Sequence, residues 1–528
     1  MVEKEPSKVV KSPSKKKKVF KSPNAFSVLF AIIALIVGLT WIIPSGQYER
    51  VGEGDNAKIV QGSYKQIEKV QVTEKVDETT GEKTTETTDL RQGVWDFFLA
   101  PVKGMISRID VILFVLILGG FLGVVMKTKA LDAALGGLLI KMKGREKWLI
   151  PILMTLFAIG GTTYGMQEEA VAFYALVVPI MLAAGYNTMT SVMVIVLGAG
   201  SGVLASTINP FSTGVAAKAA DVSLGNIIGV QGLILALTLG ASIFFTMRYA
   251  AKVKAGKIKE EGLKSSKIAA LDMGNLPKYT LERKFIVGVF GVTFAIMILS
   301  LIPWSKFNIN IFQDIHNYFV ELPGIGALFG FRHALPFGDW YFNEISALFL
   351  ISAFLMGIIY REEFKKENTT MTDSFLAGVS DMVSVAFIIA VAAAIGEIMT
   401  AGQIQDTIVY WGEMALKNVP KPLVGVLTYI FYIPMSFIIP SSSGLATASM
   451  PIIAPVAELA GSSKEVAVVA FATASGVLNM IAPTIASLLA GLSIAGVSYK
   501  AWVKRTLPIM AVFVAISLAV IFFMGIGR

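Results

Sequence analysis

The chain has 528 residues, a formal net charge of +9, and 54% apolar against 16% charged side chains, a balance that argues against a soluble multidomain protein. Cysteine is absent and histidine occurs only as His316 and His333, which leaves no disulfide, no thiolate metal site and no cysteine nucleophile. The basic residues fall in short clusters between apolar runs, the positive-inside pattern of a membrane protein and not a nucleic-acid surface.

Residues 1–25 carry Lys11, Lys15, Lys16, Lys17, Lys18 and Lys21 among Ser and Pro, with no apolar face, and read as a disordered basic cytoplasmic tail. The apolar run behind it, 26–44, is too long for a signal-peptide core and lacks a small-residue cleavage site, so it is read as a retained first transmembrane span. From 45 to 92 the composition turns to Glu, Lys, Thr and Gly, an extracellular polar insertion in which AKIVQGSYKQIEKVQVTEKV suggests a small β-hairpin. Trp95, Phe97 and Phe98 read as an interfacial anchor before the next span.

Residues 93–247 form a first repeat: a span over 111–126, an amphipathic piece over 131–143, a hairpin over 148–185 and a broken helix over 187–218. A cytoplasmic basic loop, 248–284, holds Arg248, Lys252, Lys254, Lys257, Lys259, Lys264 and Lys267. A linker span and external loop occupy 285–342. The second repeat, 343–528, contains a hairpin over 422–461 and a broken helix over 464–493. The apolar runs amount to about ten or eleven crossings of a hydrocarbon core of roughly 30 Å.

The repeat is visible in the letters. SGVL recurs at Ser201 and Ser475, and Pro179 and Gly185 recur as Pro455 and Gly461, all at a separation of about 275 residues. Loop charge places the two copies in opposite orientations, with the N-terminus inside and the C-terminus outside. The expected fold is therefore an all-α polytopic membrane protein with two inverted-topology repeats, each contributing a re-entrant hairpin and a broken helix.

Each hairpin is an apolar run interrupted by small hydroxyl residues, GGTTYG in the first and PSSSG in the second. Thr162, Thr163, Tyr164, Ser441, Ser442 and Ser443 thus sit where helix ends leave amides and carbonyls unpaired, the amides suited to a carboxylate and the carbonyls to a cation. Close packing of small residues is the plainer explanation for either tip alone. Asn209 before Pro210, and Asn479 ahead of Pro483 and Thr484, break the neighbouring helices and free carbonyl oxygens for substrate or sodium.

Glu168 and Glu169 are the only charged side chains between Trp148 and Val215. An unpaired carboxylate at that depth costs several kcal/mol, so a role as counter-charge, sodium ligand or proton carrier is expected, with pairing to Lys218 or solvation as the alternative. Adjacent helical positions diverge by about 100°, so one glutamate is expected to face the cavity. Asp110, Asp381, Glu397 and Glu458 are read as interfacial. No Walker A sequence, filter loop or intramembrane nucleophile is present, which leaves secondary transport.

The stretches SPNAFSVLFAIIALIVGLTWIIPSGQYE, GGTTYGMQEEAVAFY and IIPSSSGLATASMPIIAPVAELAG resemble the YfcC-like branch of the C4-dicarboxylate carrier (DcuC) family of the ion-transporter superfamily. That resemblance implies an elevator fold, with a fixed scaffold that often dimerises and a moving transport domain in a bacterial inner or cytoplasmic membrane. Better-known superfamily members carry Ser-Asn-Thr at the tips for a carboxylate and sodium. The asparagine is missing here, so no cofactor is assigned and sodium or proton coupling stays open.

Members of this branch are labelled both as dicarboxylate carriers and as basic amino-acid exchangers of the arginine/ornithine type. Neither hairpin carries a cation to meet a dicarboxylate, whereas Glu168 and Glu169 suit a positively charged solute. The expected partners are the lipid bilayer, a second copy of the chain and a basic amino acid, with a C4-dicarboxylate as the alternative substrate and a receptor using the insertion as the alternative class. The chain is not expected to be an enzyme.

Overall fold

The computed structural model describes residues 25–51, 58–60, 62–76, 83–209, 211–258, 276–302, 304–328, 330–366, 368–417 and 419–527. The basic tail through residue 24, Pro210, and Lys259, Lys264 and Lys267 of the basic loop lie outside them.

Helix α1 (Ala25–Ile42) leads into a cap of three strand pairs. β1 (Gly46–Gln47) pairs with β4 (Lys65–Gln66), β2 (Arg50–Val51) with β3 (Lys58–Ile59), and β5 (Val70–Val76) with β6 (Lys83–Asp89), all antiparallel. The long hairpin therefore uses VQVTEKV of the anticipated stretch but takes its second strand from the threonine run KTTETTD. β-branched threonines favour that extended backbone.

Next come α2 (Val94–Ser107) and α3 (Ile109–Lys127), which meet at Arg108, then α4 (Ala130–Lys141). The first hairpin is α5 (Leu149–Tyr164) and α6 (Tyr174–Ala183), joined through a 3-10 stretch at Glu169–Phe173. The first broken helix is α7 (Thr188–Leu204) and α8 (Thr213–Ala220), and α9 (Ile228–Lys254) closes the first half. Helices α10 (Leu281–Leu301), α11 (Ile311–Glu321), α12 (Ile325–Leu328), α13 (Phe342–Ile359) and α14 (Arg361–Lys366) connect the halves.

The second half repeats the order. α15 (Met371–Ala401) corresponds to α2 with α3, and α16 (Gln405–Leu416) to α4. The hairpin α17 (Lys421–Ile438) with α18 (Ser442–Leu459) corresponds to α5 with α6. The broken helix α19 (Lys464–Ile481) with α20 (Ala486–Ala495) matches α7 with α8, and α21 (Tyr499–Gly527) matches α9. Both hairpins are closed by a glycine at the same left-handed φ of 82°, Gly185 and Gly461, a conformation that a side chain would strain.

Helix starts are set by local chemistry. Asp96 Oδ2 accepts from Gly93 N at 2.8 Å ahead of α2, and Asn187 Oδ1 accepts from Thr190 N at 3.0 Å to open α7. Thr370 and Asp373 cap α15 reciprocally, with Asp373 N donating to Thr370 Oγ1 at 3.0 Å and Thr370 N to Asp373 Oδ2 at 2.9 Å.

Eight helices among the described residues are long and apolar enough to cross a bilayer, and shorter apolar helices accompany them at 26–42, 169–183 and 188–204. The chain is an all-α polytopic membrane protein, with apolar side chains such as Leu233, Leu237 and Phe244 of α9 on its outside. Two bundles share the fold. In one, α2 and α3 run antiparallel to α15, with Gly104 against Ala390 and Ala394, Gly119 against Gly378 and Met382, and Gly123 against Ser374 and Gly378. In the other, α5 packs on α7, α17 on α19, and α7 on α19.

The cap is fastened to α16. Tyr48 N and Arg50 Nη2 donate to Asp406 at 3.0 and 2.8 Å, Tyr48 OH donates to Glu413 Oε2 at 2.9 Å, and the rings of Tyr64 and Tyr410 stack at 4.2 Å. The sequence gives no sign of this attachment, because each partner lies more than three hundred residues from the other.

Candidate functional site

The first hairpin unwinds one residue beyond its threonines. Thr162 and Thr163 are still in the last turn of α5, which ends at Tyr164 and Gly165. Their hydroxyls are held by backbone. Thr162 Oγ1 donates to Ala205 O at 2.6 Å and accepts from Thr207 N at 3.0 Å, while Thr163 Oγ1 donates to Ile159 O at 2.6 Å. Thr162 thereby ties the hairpin tip to the break between α7 and α8.

The unwound stretch itself carries Gln167, Glu168 and Glu169. Glu168 is half-buried and Glu169 is 7% exposed, and Glu169 Oε2 accepts from Gln167 N at 3.3 Å. Both carboxylates line the same cavity. The cavity is wide enough to take both, so the expectation that a single glutamate faces it is not met.

The second hairpin unwinds at Ile439 and Pro440, and Ser441 caps the restart by accepting from Gly444 N at 3.2 Å through its Oγ. Ser442 Oγ lies 3.2 Å from Ser475 Oγ on α19, and Ser443 Oγ 3.5 Å from Ser441 Oγ. The N-terminus of the 18-residue α18 thus opens on the cavity with its first amides unpaired by helix.

The broken helices complete the wall. Asn209 Oδ1 accepts from Phe211 N at 2.9 Å, a local turn that stops α7 from continuing into α8. Thr484 stands at the equivalent break before α20, and Thr484 Oγ1 is buried without a hydrogen-bond partner among the described residues.

These elements enclose a cavity of about 450 Å³. Tyr164, Glu168, Glu169, Asn209, Ser441, Ser442, Ser443 and Thr484 line it. Three of the expected site residues do not. Thr162 and Thr163 are not part of its wall, their hydroxyls held as above, and Asn479 lines a separate small cavity of about 40 Å³ beside Gln167, Met166 and Tyr174. Asn479 faces that second space because its helix, α19, continues to Ile481 and breaks only afterwards, at Ala482.

Two further charged residues stand in the cavity wall, both from the other bundle: Arg108, to which the sequence reading gives no role, and Glu397, which it places at an interface. Arg108, exposed at the junction of α2 and α3, lies within electrostatic range of Glu168. Glu397, half-buried in the last stretch of α15, also lines this space. The cause of the miss is a misplaced helix start. The span was begun at Val111, whereas helix begins at Val94, which moves Arg108 from the edge of a span to the interior of a kinked 94–127 rod. The available signal was that Arg108 is the only basic residue between Lys103 and Lys127.

The wall therefore offers three carboxylates, one guanidinium, a helix N-terminus and neutral hydroxyl and amide groups. Two unit charges about 4 Å apart interact by about 4 kcal/mol at an effective dielectric of 20, so this arrangement attracts cations and tolerates one anionic group.

Residues 22–525 match the family model described as the C4-dicarboxylate anaerobic carrier, DcuC. A protein of Haemophilus influenzae is 30% identical over 540 aligned residues, covering 94% of this chain and 96% of its own. YfcC of Escherichia coli, for which basic amino acid antiport is the suggested activity, is 26% identical over 505, covering 91% and 92%. Among solved structures, the YdaH transporter of Alcanivorax borkumensis aligns over 95% of this chain and 98% of its own at 14% identity and a TM-score of 0.42. MtrF of Neisseria gonorrhoeae, of a class of antimetabolite efflux pumps, aligns over 96% and 95% at 14% identity and a TM-score of 0.40.

Proposed function

The chain belongs to the C4-dicarboxylate anaerobic carrier family of membrane transporters, and from that premise we propose that it exchanges basic amino acids across the membrane. The observation that carries this reading is the charge of the cavity, where Glu168, Glu169 and Glu397 outnumber Arg108. A dicarboxylate would add two negative charges to that surplus. A basic amino acid brings two cations and one carboxylate, a net positive charge that reduces the surplus.

In this reading the side-chain cation meets Glu168 and Glu169, and the α-carboxylate meets the amides at the start of α18, where the helix dipole is positive. The suggested activity of YfcC points the same way. The domain boundaries at 93–247 and 343–528 then describe two inverted repeats whose hairpins enter from opposite leaflets. The bundle holding both hairpins slides as an elevator against α2, α3, α13 and α15, in a cytoplasmic membrane with the N-terminus inside and the C-terminus outside. A homodimer joined through the fixed bundle completes this arrangement.

Exchange without a driving ion follows from the same charges. An empty cavity leaves its carboxylates uncompensated, which opposes movement of the unloaded carrier through lipid, and a bound cation removes that barrier. The test is counterflow in proteoliposomes. Labelled arginine is expected to enter vesicles loaded with arginine or ornithine and not empty ones, and entry driven only by internal succinate would overturn the reading.

A further inference from the structure

Among the described residues the cavity contains one cationic side chain, and the reading above assigns it no task. Arg108 interrupts the 94–127 rod. Its N–H donates to Gly104 O at 3.2 Å, and helix resumes at Ile109, whereas the corresponding α15 runs unbroken. The guanidinium is exposed to the cavity and engaged in no side-chain hydrogen bond or ion pair among the described residues.

The tip hydroxyls are differently placed. Ser441 Oγ caps Gly444 N, Ser442 Oγ approaches Ser475 Oγ, and Thr162 and Thr163 donate to backbone. Each serine hydroxyl can offer an anion at most one O–H donor, and the two threonines have spent theirs on carbonyls. Arg108 offers five donors in a planar fork, the geometry that takes a carboxylate through two parallel hydrogen bonds.

Position matters as much as chemistry. Arg108 senses the charge of Glu168 without forming a direct ion pair with it among the described residues. Two opposite charges kept apart across one cavity leave room for a solute that carries a cation at one end and an anion at the other.

We infer that Arg108 recognises the α-carboxylate of the substrate from the side opposite the α18 amides, and so separates an amino acid from the amine that remains when that carboxylate is removed. The inference rests on the basic amino-acid reading of the same cavity. It adds that specificity is divided between bundles, with Glu168 and Glu169 reading the side-chain cation from the hairpin and Arg108 reading the carboxylate from the opposing rod.

The test is competition against labelled arginine in counterflow, with arginine, its decarboxylated form agmatine, and the neutral-side-chain analogue citrulline. In the wild type, arginine should compete at concentrations roughly tenfold or more below agmatine, the cost of losing a charge-assisted bidentate pair. In Arg108→Gln that advantage should shrink to within about threefold while citrulline stays a poor competitor, and Arg108→Lys should keep part of it. Full retention of the preference in Arg108→Gln would overturn the inference alone. Equal competition by agmatine and arginine in the wild type would overturn it without any variant, and so covers the case in which Arg108→Gln fails to fold. Absence of arginine counterflow in the wild type would instead bring down the reading beneath it.

Discussion

Gly476 lies directly against the backbone of Leu204, so the second SGVL motif is packed on the first where α19 crosses α7. The repeated letters meet at the centre of the fold. Any Cβ at Gly476 would overlap the Leu204 backbone, which has no flexible end to move aside. Gly476→Val is expected to lower stability by about 3 kcal/mol or more, through overpacking at a backbone contact. Gly232→Ala, at a position in α9 with nothing within 4 Å, should be neutral or slightly stabilising. Thermal unfolding of the two purified variants checks both.

Thr162 is expected to act on transport through the fold of the tip. Thr162→Val removes the donor to Ala205 O and the acceptor of Thr207 N, at about 1–3 kcal/mol for buried groups left unpaired. Thr162→Ser keeps both bonds and should keep both stability and transport. Melting temperatures and counterflow rates should therefore fall together in the first variant and hold together in the second.

The cap divides into a fixed part and a free part. Among the described residues, strands β5 and β6 pair only with each other, whereas Tyr48 and Arg50 hold Asp406 and Glu413. Replacing 72–87 by a tight turn should leave counterflow unchanged. Tyr48→Phe should destabilise by about 1–3 kcal/mol, because Glu413 is 4% exposed and loses a donor, keeping only Lys417 at 3.3 Å.

Tyr48 also sets a pH limit. Burial, and then the neighbouring Glu413, push its phenol above its usual range. The unfolded chain releases this proton near the ordinary value of 10 while the folded chain holds it, so the stabilisation is complete below that pH and is lost as pH rises beyond it. Wild-type melting temperature should decline above pH 10 more steeply than that of Tyr48→Phe.

Much of the architecture was legible because bilayer depth forces interruptions to be written in the sequence. GGTTYG and PSSSG announced the two tips, and Gly185 and Gly461 the ends of the two hairpins. Exact positions were less legible. The threonines of GGTTYG look like a polar break, yet Thr162 and Thr163 satisfy themselves on backbone oxygens and let α5 run on to Tyr164. Arg108 went unmarked, and Glu397 read as interfacial, for a different reason. Arg108 joins two helices and Glu397 lies near the end of one, so each charge reads as a flank, and only the packing of α2 and α3 along α15 carries them to the cavity. The cap attachment to Asp406 depends on contacts between distant segments, to which no local pattern points.

The central claim is that both hairpin tips bound a single pocket that holds a cationic amino acid. The absence of native cysteine makes it directly measurable, with Gln167→Cys and Ser443→Cys made one at a time and labelled by a thiol-reactive maleimide. The account predicts that arginine slows labelling at both positions and that succinate slows it at neither. Protection of only one tip by arginine, or protection of both by succinate, would contradict it.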